Sequence, residues 1–231
     1  MMNPSGKGHT DREYEAELQE IRHRLLRMAG RVEEMIANAV TALLHRDSEL
    51  ARRTIEADHK VNRAEVETDD FCLRVLARRQ PLGPDLRFIT LAFKMVTDLE
   101  RIGDLAVNLC ERAIDLNAES ELRASVDIER MAQLVRSMVR EAIDAFVAGD
   151  AAKASEVIER DHEVDALYHQ FFRELLRMMV ADASAVPRGI HLQSVAKYLE
   201  RMGDHATNLA EQVVFMVKGK DIRHLGKLDL E

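Results

Sequence analysis

Glu100, Asp104, Asn108 and Glu111 fall three or four residues apart, and Glu200, Asp204, Asn208 and Glu211 repeat the same types one hundred positions later. Residues at i and i+4 on an α-helix share a face with Cβ atoms about 5 to 6 Å apart, so each Glu–Asp pair can offer two carboxylates to one ion. Two such charges repel unless a cation, a proton or an arginine lies between them. Asp58 with Asn62 and Asp161 with Asp165 repeat the spacing on a preceding segment. Asp161 interrupts the apolar row Val157, Val164, Phe171 and Leu175, and Asp58 holds the corresponding place, so both are expected to look inward, where an unpaired carboxylate is costly. The pattern therefore predicts two metal-binding sets: Asp58, Asn62, Glu100, Asp104 and Asn108, then Asp161, Asp165, Glu200, Asp204 and Asn208. All-oxygen ligands suit hard cations such as Mg, Mn, Ca or ferric iron, and Fe, Zn, Mn and Mg are the candidate ions. The ordinary alternative is a solvated acidic face balanced by Arg101 and Arg201.

A second constellation shares these segments. Glu56-x-x-His59 and Glu159-x-x-His162 match the Glu-x-x-His element of ferritin-like di-iron proteins, with Glu100 and Glu200 as further ligands. A carboxylate-bridged metal oxidase or metal-storage protein is thus the alternative function. It requires both copies to enter one four-helix core, whereas the repeat described below suggests two self-contained bundles. No Gly-x-Ser-x-Gly elbow, Walker-type phosphate loop or Rossmann fingerprint occurs, so the chain is expected not to be an enzyme. Arg78, Arg79 and Arg87 flank the first loop, where cations complement a helix C-terminus. Cys72 and Cys110 are too isolated for a disulfide framework and read as small buried hydrophobes.

The elements that must position these groups are long helices. Thr10 with Glu13 forms a capping-box pattern ahead of Leu18, Ile21, Leu25, Met28, Val32, Met35, Ala39 and Leu43 at helical spacing. Asp47 or Ser48 can cap a second helix that runs to about Gln80 and stops at Pro81-Leu82-Gly83-Pro84. A third starts near Asp85 and ends around Asn117 to Ser120. A fourth begins near Ser125, Gly149-Asp150 separates it from a fifth, and the Ala183 to Pro187 stretch precedes a sixth that closes at Gly219. Gly103 and Gly203, inside strong helices, imply close helix approach beside the acidic stripes.

These six helices are three used twice. Leu99 to Ala113 against Leu199 to Val213 gives nine identical residues in fifteen at an offset of 100, where chance gives about one. Glu56, Asp58, His59 and Val61 match Glu159, Asp161, His162 and Val164 at an offset of 103. The fold class expected is all-α: two tandem three-helix bundles of six long antiparallel helices, one over residues 10–120 and the other over 121–220.

Composition bounds the partners. Hydrophobic residues make up 46% and aromatics only 4%, without tryptophan, so Leu, Val, Ala and Met must fill the core. The net charge of -8 disfavours nucleic acid unless a strong local basic patch overcomes it. No stretch approaches the 18 or so apolar residues that span a bilayer, and a cytoplasmic protein is expected.

The segments RRQPLGPDLR (Arg78 to Arg87), DLERIGDLAVNL (Asp98 to Leu109), YLERMGDHATNLAE (Tyr198 to Glu211) and VVFMVKGKDIRH (Val213 to His224) resemble signature stretches of the PhoU family. The resemblance implies a negative regulator of phosphate uptake and phosphate-starvation signalling. It also implies an adaptor between a phosphate ABC transporter ATPase and a sensor histidine kinase, working as a homodimer at the inner face of the membrane. Some family members bind multinuclear metal clusters through Glu/Asp-x-x-x-Asp motifs. By position these are Glu100 with Asp104, Glu200 with Asp204, and Asp161 with Asp165; Asp58 with Asn62 departs by one charge, for which Glu65 can compensate where the other half has Tyr168.

Overall fold

The computed structural model describes residues 5–120 and 128–219. They form seven α-helices: α1 (Ser5–Leu44), α2 (Ser48–Ala57), α3 (His59–Arg79), α4 (Pro84–Asn117), α5 (Ile128–Ala148), α6 (Ala151–Ala181) and α7 (Val186–Lys218), with a 3-10 turn (Ala183–Ala185) before the last. No strand occurs among the described residues.

The local signals work as chemistry requires. The Asp47 carboxylate accepts from the amides of Glu49 and Leu50 at the start of α2, and Asp150 does the same for Ala152 and Lys153 at the start of α6. Gly83 and Gly149 turn the chain at positive φ, and Gly219 ends α7 in the left-handed conformation. Two expectations need correction. α1 begins at Ser5, so Thr10 lies within the helix and does not open it. The predicted second helix is pinched at Asp58 into α2 and α3, with the Asp58 amide on Ile55 O and the Val61 amide on Asp58 O, a tighter i−3 pattern. Asp58 keeps helical angles (φ −57, ψ −36), so the chain runs on through the pinch. The expected start of the fourth helix at Ser125 and the tail beyond Gly219 lie outside the described residues.

α1 packs on α4 and α5, and α7 packs on α4 and α5, so these four close a ring of helices. α2 and α3 cover the outside of α1 and α4, while α6 covers α5 and α7. Each half is thus a three-helix unit, and the two share one apolar core through Ile21, Leu25, Met95, Leu99, Val135, Val139, Leu199 and Met202. Burying a side chain of this kind contributes about 1.5 to 3 kcal/mol. Phe88 of α4 stacks on Phe146 of α5 with centroids 5.1 Å apart, and Arg22 lies 4.6 Å over the Phe88 ring.

Polar contacts also join the halves. Asp98 on α4 accepts from His205 Nδ1 at 2.9 Å and from Gln212 Nε2 at 2.7 Å, both on α7. Arg140 on α5 donates to Glu33 on α1. No helix of the described residues is long and apolar enough to cross a membrane.

Candidate metal centres

The two acidic stripes lie where α3 crosses α4 and where α6 crosses α7, and a glycine sits at each crossing. A Cβ added at Gly103 would lie 3.4 Å from Val61 Cγ1 and 3.5 Å from Asp58 Oδ1. At Gly203 the corresponding distances are 3.3 Å to Val164 Cγ1 and 3.5 Å to Asp161 Oδ1. The glycines let the inward aspartate of one helix reach the stripe of the next, as their placement in strong helices predicted.

In the first half, burial raises the Asp58 pKa, with the charge of Asp104 adding to it and the Asn62 amide opposing. Asn62 Nδ2 donates to Asp58 Oδ2 at 2.8 Å, and Asp58 Oδ1 is buried without a hydrogen-bond partner. Glu100 is also raised, first by burial and then by Asp104 and Glu65. Arg101 lies 3.8 Å from Glu100 and 3.9 Å from Asp104, at the edge of ion-pair range, and is itself well exposed.

The second half carries more charge. Asp204 is pushed up to about 6 by burial and by the charges of Glu200 and Asp161. Asp161 is raised by burial and by Asp165. Here Lys197, one turn before the stripe, holds both oxygens of Glu200 at 2.6 Å. Sequence reasoning missed this lysine, although its i, i+3 spacing to Glu200 was visible; the first half has Thr97 in its place, 3.4 Å from Glu65.

The fold therefore gathers Asp58, Glu100 and Asp104 with Glu65, and separately Asp161, Asp165, Glu200 and Asp204. Asn62 is engaged by Asp58, and Asn208 lines an open cavity of about 480 Å³ between α4 and α7 together with Lys94, Asp98 and Gln212. Asn108 is half-buried on α4. As the side chains stand, no three His, Cys, Asp or Glu groups among the described residues converge in metal-ligand geometry. The carboxylates nonetheless fit a cation chemically, because several are held above their ordinary pKa by burial and then by one another, and Asp58 Oδ1 is buried with no donor.

The Glu-x-x-His elements fall elsewhere. Glu56 and His59, like Glu159 and His162, ride on the outer helices α2, α3 and α6 rather than in the four-helix ring. Each histidine Nδ1 contacts the backbone carbonyl of its own Glu three residues back. Arg78 and Arg79 reach across from α3 to Glu17 on α1, at 3.0 and 2.7 Å. Cys72 and Cys110 are buried free thiols, both pushed up to about 12 by burial.

A duplicated three-helix unit with a carboxylate stripe on its third helix defines the class of all-helical protein to which the chain conforms. The PhoU domain model matches the chain twice, over residues 25–113 and 128–213, and the chain belongs to the PhoU family. It is 43% identical over 219 residues to a phosphate-specific transport system accessory protein PhoU homolog of Pseudomonas putida, covering 94% of this chain and 86% of the relative. The accessory protein PhoU of Escherichia coli K12 is 34% identical over 223 residues, covering 96% and 92%. Among solved structures, PhoU from Pseudomonas aeruginosa superposes with a TM-score of 0.86 at 43% identity, over 90% of this chain and 100% of that one. The phosphate transport system regulatory protein PhoU from Streptococcus pneumoniae gives 0.85 at 27% identity, over 90% and 99%.

Proposed function

We propose that this chain is a non-enzymatic regulator of phosphate uptake and phosphate-starvation signalling, acting negatively when phosphate is plentiful. The observation that carries the reading is the likeness, over nearly the whole length of both chains, to accessory proteins of phosphate-specific transport. In this role the chain works in the cytoplasm as a homodimer, between a phosphate ABC transporter ATPase and a sensor histidine kinase. The ferritin-like oxidase gains no support, since its Glu-x-x-His elements sit on the outer helices. Deleting the gene should derepress phosphate-scavenging genes in phosphate-rich medium, read by reporter expression. Unchanged repression in the deletion strain overturns the proposal.

The same reading includes metal. A Fe, Zn, Mn or Mg ion would be held by Glu100, Asp104 and Asp58, and a second by Glu200, Asp204, Asp161 and Asp165; when bound, each supplies positive charge to carboxylates that otherwise repel one another. The chain's own contribution is to bring Asp58 and Asp161 against the stripes at the glycine crossings, and Lys197 would have to release Glu200 to a cation bound there.

A further inference from the structure

A groove of about 480 Å³ opens between α1 and the α2–α3 helix, with no residue of α4 in its lining. Arg31, Arg53 and Lys60 rim it, against one carboxylate, Glu34. Neither Arg53 nor Lys60 forms an ion pair among the described residues, and Arg31 Nη1 donates only to the Lys60 carbonyl at 3.0 Å, which ties the two walls together. The neighbouring hollow along α1 is different: there Arg24 and Arg27 are both answered by Glu20, at 2.8 and 3.1 Å. In a chain of net charge -8, three cations without an ion-pair partner among the described residues around one concavity are a local excess of positive charge.

The duplication supplies an internal control. At the offset of 103 that aligns Asp58 with Asp161, Arg53 corresponds to Glu156 and Lys60 to Glu163. Both outward-facing positions therefore carry opposite charge in the other half, so the fold does not need cations there. The floor is apolar, built of Met35, Leu50 and Ala57, and Asn38 adds an amide at its edge. A cationic rim suits phosphate oxygens, and an apolar floor suits a flat ring; together they are the parts of a small organic phosphate site.

We propose that this groove binds a nucleotide, with Arg31, Arg53 and Lys60 on the phosphates and the base over Met35 and Leu50. The inference stands apart from the regulatory reading and from the metal centres, which lie at the α3–α4 and α6–α7 crossings and share no lining residue with this groove. Isothermal titration calorimetry of the whole chain with ATP, AMP and inorganic phosphate tests it. The expected result is saturable binding of ATP, weaker for AMP, and weaker again as salt screens the rim. Arg53→Glu with Lys60→Glu, which installs the residues the other half carries, should weaken ATP binding at least about tenfold. Arg173→Glu with Arg177→Glu, an equal charge change on exposed positions of α6, should leave it within about twofold. A milder pair, Arg53→Gln with Lys60→Gln, gives the same direction should the glutamates disturb folding, which circular dichroism reports. Absence of saturable ATP binding, equal affinity in the Arg53 and Lys60 variants, or inorganic phosphate binding as tightly as ATP overturns the assignment.

Discussion

Replacing Asp204 by Asn should stabilise the metal-free protein at neutral pH and destabilise the metal-loaded one. Asp204 has its pKa moved from 3.8 to about 6 by burial beside Glu200 and Asp161. At about 1.4 kcal/mol per tenfold change in proton affinity, that movement corresponds to about 3 kcal/mol of strain on the ionised form. Roughly half of the group is open to water, and screening brings the figure to about 1 kcal/mol. The sign follows from linkage: a carboxyl whose folded pKa lies above its unfolded value loses protons more readily on unfolding, so its cost appears as pH rises from 3.8 through about 6. Well below 3.8 Asp204 is protonated in both states and imposes no such cost. In chelator, Asp204→Asn should therefore melt about 2 to 4 °C above wild type at pH 7.5, and the advantage should vanish toward pH 4. With saturating Mn or Mg the order should reverse, because the amide cannot replace the carboxylate's charge. Scanning calorimetry across that pH range, with and without cation, reads both effects. Wild type melting above the variant in chelator at pH 7.5, or a difference that does not depend on pH, refutes the electrostatic account; an unreversed order with metal refutes the ligand role.

Asp98→Ala removes the acceptor shared by His205 and Gln212 and leaves the Gln212 amide, 8% exposed, without its partner. Urea unfolding should show a loss of about 1 to 3 kcal/mol, and an unshifted midpoint would mean the contact between halves is immaterial. Gly203→Val places methyls against Val164 and Asp161, where even a bare Cβ comes within 3.3 Å, and should cost about 1 to 3 kcal/mol. Trimming the neighbour in a Gly203→Val, Val164→Ala double variant should recover part of that loss, measured by the same denaturation. Equal stability of the single and double variants would place the clash elsewhere.

The sequence by itself determined the helices, the duplication and the acidic stripes. Each depends on residues within a few turns of one another: the cap at Asp47 or Ser48, the Gly149-Asp150 and Pro81 to Pro84 breaks, the apolar period of α4, and the motif shared by Leu99 to Ala113 and Leu199 to Val213. A helix fixes which residues share a face, so Glu100 with Asp104 could be paired on paper. It does not fix how far that helix is rotated toward its neighbours, and cross-helix contacts follow from that rotation. Only the tertiary structure joined Asp98 to His205 and Gln212, since their counterparts in the other register are Tyr198, Leu105 and Arg112 and no repeat logic leads to them. It also decided that the halves share one core, because the seams of α1, α4, α5 and α7 each leave an apolar side that a three-helix unit alone does not cover. The rim of Arg31, Arg53 and Lys60 belongs to the same category: the cations come from two helices, and their convergence exists only once α1 packs against α2 and α3.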